Sequence, residues 1–450
     1  MTIDFAAVIK GKTESGEVTG ASFAYWDGER MQEVVGGLRN SVTGDSVTLD
    51  TLMHIGSITK VLNATLFMQL VDDGLIDLDD PVTKHLPDLR LGDPAALGKI
   101  TCRMLINHTN GIDYDCPEYS DFDEQRIENA IEDCATMPQI HAPGEATAYS
   151  NIGTVIAGYI TQKLRGEGWY SLIKSRIFEP LELRHSLADI TEVPRFRVSV
   201  GDQVGPDGKL VQSSRPFLPL SFAAAGARVM MSAAGLVTFA RALINGGVGA
   251  NGVRILSAAS AALMATETTR FLSPATWHVG LGWMLRPGGV LFHGGGGPGV
   301  SSVLYAHPES GRAFALLTNC SKNGVFDADL VDPLLESWGA PVETLTPIEG
   351  EYESTPYEGS FENQIYRFDI FRDGDRLLAR MAARVDFYET DNASAPIFDL
   401  ERVGDHLFRM SLDGAAIPFP LAFVDPDGEG KMQRLGAMAR IFNRLPEAGQ

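Results

Sequence analysis

Ser57 and Lys60 stand three residues apart in His54-Ile55-Gly56-Ser57-Ile58-Thr59-Lys60, directly ahead of an apolar run from Val61 to Val71. Read as a helix, that run carries both side chains on one face of its first turn. A serine there lies at the positive end of the helix dipole, where a developing oxyanion is favoured. A lysine one turn on, its pKa lowered by burial and by the same positive end, serves as a neutral base at pH 7. That pairs a nucleophile with its activator. The plain reading of the same residues is a serine N-cap followed by a helical lysine. Ser-x-x-Lys by itself does not decide between the two.

Two further stretches supply what such a nucleophile needs. In Pro143-Gly144-Glu145-Ala146-Thr147-Ala148-Tyr149-Ser150-Asn151 a tyrosine and an asparagine sit two apart at a loop-to-helix junction. A Tyr149 hydroxyl held near Lys60 would shuttle the serine proton, and the Asn151 amide would bind a substrate amide or hold the lysine. The plain alternative packs Tyr149 in the core and makes Asn151 a helix cap. In His293-Gly294-Gly295-Gly296-Gly297-Pro298-Gly299, at the end of a Val290-Leu291-Phe292 strand, the glycines let backbone and ligand approach closely. A main-chain N–H there would be a second oxyanion donor beside that of Ser57. A phosphate loop is disfavoured, because no Gly-Lys-Ser/Thr follows and no helix opens.

Ser57-Ile58-Thr59-Lys60, Tyr149-Ser150-Asn151 and His293-Gly294-Gly295, in this order, resemble the motifs of the serine β-lactamase and penicillin-binding-protein superfamily. The branch is that of class C β-lactamases, D-aminopeptidases, D-alanyl-D-alanine carboxypeptidases and related esterases. Leu105-Ile106-Asn107-His108-Thr109-Asn110-Gly111 is similar to the family's His-Thr-Ser-Gly loop, with Asn110 where Ser is usual. Ile177-Phe178-Glu179-Pro180-Leu181 and Leu316-Leu317-Thr318-Asn319 are also similar to family stretches, so the resemblance spans residues 15–325. It implies that Ser57 attacks a carbonyl and becomes acylated while Lys60 and Tyr149 take and return its proton. The N–H groups of Ser57 and Gly296, with Gly295 alongside, would form the oxyanion hole, and Asn151 would contact the acyl side. Water would then release the acid.

One place departs from the pattern. Penicillin-binding proteins and β-lactamases usually open the third motif with lysine, and this chain has His293. Histidine holds a positive charge less firmly at pH 7 and reaches less far, so a β-lactam or D-Ala-D-Ala carboxylate would be held weakly. Histidine there resembles the esterases, the D-amino-acid peptidases and amidases, and the standalone peptide cyclases of the superfamily. The expected substrates are small esters or short peptides and amides, D-residues included. The alternatives, in order, are acyl transfer to an amine (a transpeptidase or macrocyclase), a β-lactamase or carboxypeptidase, and a non-catalytic sensor that keeps the fold. No cofactor or metal is expected.

The elements that must position these residues follow from periodicity. Residues 5–15 read as a short helix, and Ala21–Tyr25 with Met31–Val35 as a hairpin turned by Asp27-Gly28. Leu52–Ile55 reads as a strand, and the helix after Ser57 stops at Gly74. A helical stretch follows, with helices expected at Ile100–His108, Ile152–Lys163 and Tyr170–Ile177. Past residue 275 the period changes to that of a meander: His278–Leu285, Val290–His293, Val300–Tyr305 and Arg312–Leu317. Strands at both ends around a helical middle predict one α+β unit, an antiparallel sheet closed by both ends with a helical lobe inserted. Pro341–Pro347 reads as a linker between a hydrolase domain, 1–340, and a C-terminal domain, 341–450. In the latter, short strands at 350–352, 366–370, 377–381, 406–410, 421–424 and 439–442 predict a small up-and-down barrel. Some of the hydrolases and cyclases that this chain resembles carry lipocalin-like C-terminal domains that can cover or shape the site, so this unit points to the same branch as His293.

Composition narrows the class. A chain of 450 residues with 44% hydrophobic and 21% charged residues is ordinary for a globular enzyme of more than one lobe. A formal charge of -21 argues against nucleic acid and against an anionic membrane surface. No stretch is long and apolar enough to span a bilayer, and no signal peptide is visible at the start. A cytoplasmic setting is therefore expected, though a trimmed precursor would look the same. The cysteines Cys102, Cys116, Cys134 and Cys320 show neither metal-ligand spacing nor a disulfide framework. Among the residues set aside, His54 is expected to pack, and His108 to be structural. His278 and His307 lack partners at metal-ligand spacing. Trp283 and Phe292 are expected in the core, and Asp113–Glu118 in a solvated acidic loop.

Overall fold

The computed structural model describes residues 3–115, 127–205, 208–272, 277–340, 345–385, 395–412, 415–416 and 420–446. Cys116, part of the acidic loop and part of the expected linker lie outside the described residues.

Alternation along the strands builds the first layer. In Gly20–Trp26, Phe23 and Tyr25 face one core while Ala24 faces another, and in Arg312–Thr318 Phe314 and Leu316 oppose Ala313, Ala315 and Leu317 in the same way. Side chains of period two on both faces require a covered sheet. These two strands, from opposite ends of the lobe, lie side by side, with Phe23 opposite Leu316. They form the middle of a nine-stranded antiparallel sheet, so the sheet is closed by both ends as the sequence predicted. The helices Phe5–Glu14 and Asp332–Ser337 accompany the aromatic face, and Ala233–Ile244 covers the other.

The helix Thr59–Asp72 is buried almost all round, which places it inside the inserted lobe rather than on its surface. It ends where Gly74 takes φ +68. The helix Asn151–Arg165 crosses it. Its Gly158 allows the approach, since a Cβ there would lie 3.1 Å from Asn63 Oδ1 of Thr59–Asp72 and 2.6 Å from the Ala224 Cβ of the neighbouring Leu220–Ala225 turn. The polar Asn63 is tolerated in this contact because its amide donates to Thr154 O at 3.0 Å and accepts from Trp169 Nε1 at 2.7 Å. Leu52–Ile55 is not the four-residue strand expected. Only Met53–His54 is extended, pairing with Met230–Met231, which also pairs with Ser186–Leu187. The chain bends into the Ser57 turn immediately afterwards.

Toward the C-terminus, eight antiparallel strands close into a barrel between about residues 359 and 444. Its interior is aromatic: Phe361, Phe368, Phe408, Phe423 and Phe442 are fully buried, and Phe368 meets Phe442 edge-on at 5.0 Å. The strand expected at 350–352 is irregular chain, and the barrel opens with Gly359–Glu362. Ile397–Gly404 and Met432–Ala437 are strands not expected from sequence. Among the described residues no helix is long and apolar enough to cross a membrane.

Candidate active site

Ser57 sits in a 3-10 turn, Gly56–Ile58, and the α-helix begins at Thr59. The serine is thus just ahead of the helix rather than in its first turn, and no side chain caps that helix. As second residue of the turn, Ser57 leaves its own N–H without an intrahelical acceptor. The turn demands glycine at Gly56, with φ +51, where a Cβ would lie 2.9 Å from Gly296 N. From the other side Gly226, at φ +126, would bring a Cβ to 2.9 Å from Ser57 N. Ser57 is half-buried while its neighbours in the turn are buried, so it is the one that solvent reaches.

Lys60 Nζ lies 3.1 Å from Ser57 Oγ and donates to Ala225 O at 2.6 Å. The side chain is buried. Burial pushes its pKa well below that of a free lysine; Asp115 opposes the shift and Arg440 adds to it. A neutral amine has two N–H groups and one lone pair. With one N–H on Ala225, the lone pair is available to the serine hydroxyl.

Tyr149 hydrogen-bonds to Ser57 through its hydroxyl, and its ring lies 4.7 Å from Lys60 Nζ. Burial raises the phenol pKa above 10, while the bond to Ser57 and the nearby Arg440 pull it back. Tyr149 therefore meets Ser57 rather than plugging the core. His108, at φ 64, packs its ring tilted against that of Tyr149, centroids 4.7 Å apart, and its Nδ1 accepts the Ser150 N–H at 3.2 Å. It supports the tyrosine, as its structural assignment required.

The cap of the next helix is Ser150, whose hydroxyl accepts from Gly153 N at 3.1 Å, not Asn151. Asn151 donates its side-chain amide to Asp115 O at 2.8 Å and its backbone N–H to Asp115 Oδ1 at 2.7 Å.

Among the described residues the glycine strand Val290–Gly297 pairs with Met284–Arg286 only as far as Phe292, so beyond it that edge carries no neighbouring strand. Gly295 is pressed on Ile55: a Cβ there would meet Ile55 O at 2.0 Å and Ser302 Oγ at 2.4 Å. Ser302 bridges the contact by donating to Ile55 O at 3.0 Å and Gly295 O at 3.2 Å. Gly296 is exposed, with open space where a Cβ would be. His293 is 1% exposed, and its Nδ1–H donates to Gly294 O at 2.7 Å. Burial, helped by the nearby Lys60, pushes its pKa down to about 3, so the ring is neutral. Among the described residues its buried Nε2 has no protein partner. Its ring centroid is 6.3 Å from that of Tyr149.

Two residues escaped the sequence reading. Asp115, expected in a solvated loop, is buried and pairs with Arg440 of the barrel at 2.7 Å. Arg440 lies over the Tyr149 ring, 4.9 Å from its centroid. Burial opposes its charge, yet Asp115 keeps its pKa above the ordinary arginine value. Arg440 follows a hairpin turn in which Met438 and Ala439 both have positive φ, 49 and 60. Such a turn favours Asn-Gly, and non-glycine residues there cost roughly 1–3 kcal/mol each. Docking offsets the strain: Tyr149 N–H donates to Ala439 O at 2.7 Å. Asp113 is also drawn in, accepting the Gln364 N–H at 3.0 Å. Trp283 and Phe292 lie in the two cores rather than in an acyl pocket. His278 hydrogen-bonds to Glu267 at 2.5 Å away from the cluster, and His307 to Ser310 and Gly288.

Fold and cluster together are those of the β-lactamase-like serine hydrolases. The Beta-lactamase family profile matches residues 5–335, and the chain belongs to that family. Penicillin-binding protein 4 of Amycolatopsis lactamdurans is 34% identical over 364 residues, covering 75% of this chain and 93% of its own. The crystal structure of SurE is similar at a TM-score of 0.76 and 26% identity, covering 98% of both chains. The D-amino acid amidase of Ochrobactrum anthropi SV3, complexed with L-phenylalanine amide, matches 74% of this chain and 96% of its own, with TM-score 0.62 and 27% identity.

Proposed function

We propose that Ser57 forms an acyl-enzyme with small esters or short peptide amides, with a D-amino acid accepted on the acyl side. The observation that carries this is the shared approach to Ser57 Oγ, by Lys60 Nζ at 3.1 Å and by the Tyr149 hydroxyl. Neutral Lys60 takes the serine proton as the Oγ–C bond forms. Tyr149 passes a proton to the leaving nitrogen or oxygen as its bond to carbon breaks. The N–H groups of Ser57 and Gly296 hold the oxyanion. Water, deprotonated by the same pair, then attacks the ester and releases the acid.

The substrate class follows from the charges around this point. Neutral His293 offers no cation for the carboxylate of a β-lactam, so penicillins are poor substrates in this reading. Asn151 Oδ1 is suited to accept an N–H from the acyl side, and Arg440, held by Asp115 and Met438 O, brings a positive charge beside Tyr149. Two neighbours support the stereochemistry: one is a D-amino acid amidase, and SurE is known in complex with D-Leu.

A fluorophosphonate probe should add one adduct to the folded protein, at Ser57, and Ser57→Ala should remove it. No adduct on the wild type would sink the reading. D-aminoacyl p-nitroanilides and esters should then turn over faster than their L-forms and faster than a chromogenic penicillin. Amide product formed at the expense of acid when an amine is added would move the assignment to acyl transfer.

A further inference from the structure

His54 precedes the nucleophile by three residues and takes no part in the proton transfers above. It is buried, and both ring nitrogens are engaged by backbone. Gly56 N–H donates to Nδ1 at 2.9 Å, and Nε2–H donates to Ala227 O at 2.7 Å. These two bonds require one tautomer of the neutral ring, because a protonated Nδ1 would confront the Gly56 N–H. Burial lowers the pKa and favours that neutral form.

The two backbone groups it joins belong to the two segments that must be in register for Ser57 to meet Lys60. Gly56 begins the turn that carries Ser57. Ala227 lies two residues beyond Ala225, whose carbonyl orients Lys60 Nζ at 2.6 Å. The Gly56 N–H that His54 accepts belongs to the Ile55–Gly56 peptide, whose carbonyl accepts from Ser302 Oγ at 3.0 Å, and the next peptide is packed between Gly226 on one side and Gly295-Gly296 on the other. Ser302 thus holds the carbonyl side of the Ile55–Gly56 peptide, and the imidazole holds its N–H side. We propose that His54 is a positioning residue, whose imidazole pins the Gly56 peptide to the Ala225–Ala227 segment and so sets the Ser57 Oγ to Lys60 Nζ distance. This rests on Ser57 being the nucleophile. The fold does not depend on the ring: Met53–His54 still pairs with Met230–Met231, and Ile55 N still donates to Val229 O at 3.1 Å.

The two isosteric amides separate the two bonds. In His54→Asn the amide oxygen takes the place of Nδ1 and keeps Gly56. In His54→Gln the amide nitrogen takes the place of Nε2 and keeps Ala227 but releases the turn. Fluorophosphonate labelling rates, measured with Tm, should leave His54→Asn within about threefold of wild type and slow His54→Gln by about 10–100-fold, since a misplacement near 1 Å costs that much. The Tm values of the two variants should differ little. Equal rates in the two variants, or losses that simply track Tm, overturn the proposal. An unlabelled wild type overturns the nucleophile assignment instead. A readout that needs no variant is the long-range ¹H–¹⁵N spectrum of histidine-labelled wild type. His54 should remain the Nε2-protonated neutral tautomer from about pH 5 to 8; a ring that titrates in that range, or carries its proton on Nδ1, refutes the clamp.

Discussion

The proposed reaction needs Lys60 uncharged, and its burial against Ala225 and Tyr149 favours that form. Because the folded pKa lies below the lysine value of 10.5, kcat/KM should rise with pH along one acid limb as Lys60 loses its proton, well before a free lysine would. The His293 ring is already neutral, its pKa being about 3. His293→Asn should therefore leave the position of that limb unchanged, whatever it does to its height. A limb that vanishes or moves in His293→Asn would assign the titration to histidine. Lys60→Met should lower acylation by at least roughly 10³-fold with little loss of Tm, because removal of a buried amine relieves desolvation. The four residues Ser57, Lys60, Tyr149 and His293 were legible because each lies in a short local motif whose residue types suit one chemistry. Asp115 and Arg440 were not. Their pairing joins positions 325 residues apart, and an aspartate among other acidic residues gives no local sign that it is buried.

At the level of elements, the glycine strand His293–Gly297 does two separate jobs, and adjacent substitutions should divide them. Gly295→Ala drives a methyl into Ile55 O at 2.0 Å and Ser302 Oγ at 2.4 Å. The backbone cannot yield there without moving the Ser57 turn, so a destabilisation of about 1–3 kcal/mol and loss of turnover are expected. Gly296→Ala meets nothing within 4 Å, and its Tm should stay near wild type. Its methyl should enter the cleft beside the oxyanion position, lowering kcat/KM by about 10-fold or more. Thermal unfolding and ester kinetics on the pair check both halves; a Gly296→Ala enzyme with unchanged kinetics would remove that glycine from the oxyanion site. The sequence showed where this strand lies, since apolar alternation followed by a glycine run has no helical reading. It did not show barrel strands such as Ile397–Gly404, where Asp399 and Glu401 alternate with buried Phe398 and Leu400 and Arg402 follows in phase with them. There the hydrophobic signal is two residues long, and only closure of the barrel makes it a strand.

For the whole molecule, the barrel and the hydrolase lobe meet through a polar contact beside the candidate nucleophile. Asp113, Asp115 and Asn151 face Gln364, Arg384 and Arg440. Closure of the main sheet by both chain ends could be read from the order of strands and helices. This docking could not, because its hairpin tip, Met438-Ala439, lacks the residues that usually mark such a turn. Arg440→Met should cost about 3–5 kcal/mol by leaving Asp115 buried and unpaired, and adding Asp115→Asn should recover much of it. Asp113 gives the contact a pH dependence of definite sign. Burial, then the charge of Asp115, pushes its carboxyl up to about 7 from an ordinary 3.8. Below the ordinary value both folded and unfolded forms bind the proton, so Asp113 is neutral in its effect. Between the two values only the folded form keeps the proton, so stability falls as pH rises, and the loss is complete once pH passes the folded pKa. Asp113→Asn keeps an acceptor for the Gln364 N–H and never ionises. Its advantage over wild type should therefore grow from pH 5 to pH 8, by roughly 1–2 kcal/mol after allowance for solvent screening. Urea unfolding of both proteins at the two pH values measures it. An advantage that is flat with pH, or that shrinks toward pH 8, would mean that Asp113 is ionised throughout and held by Arg384 and Arg440 instead.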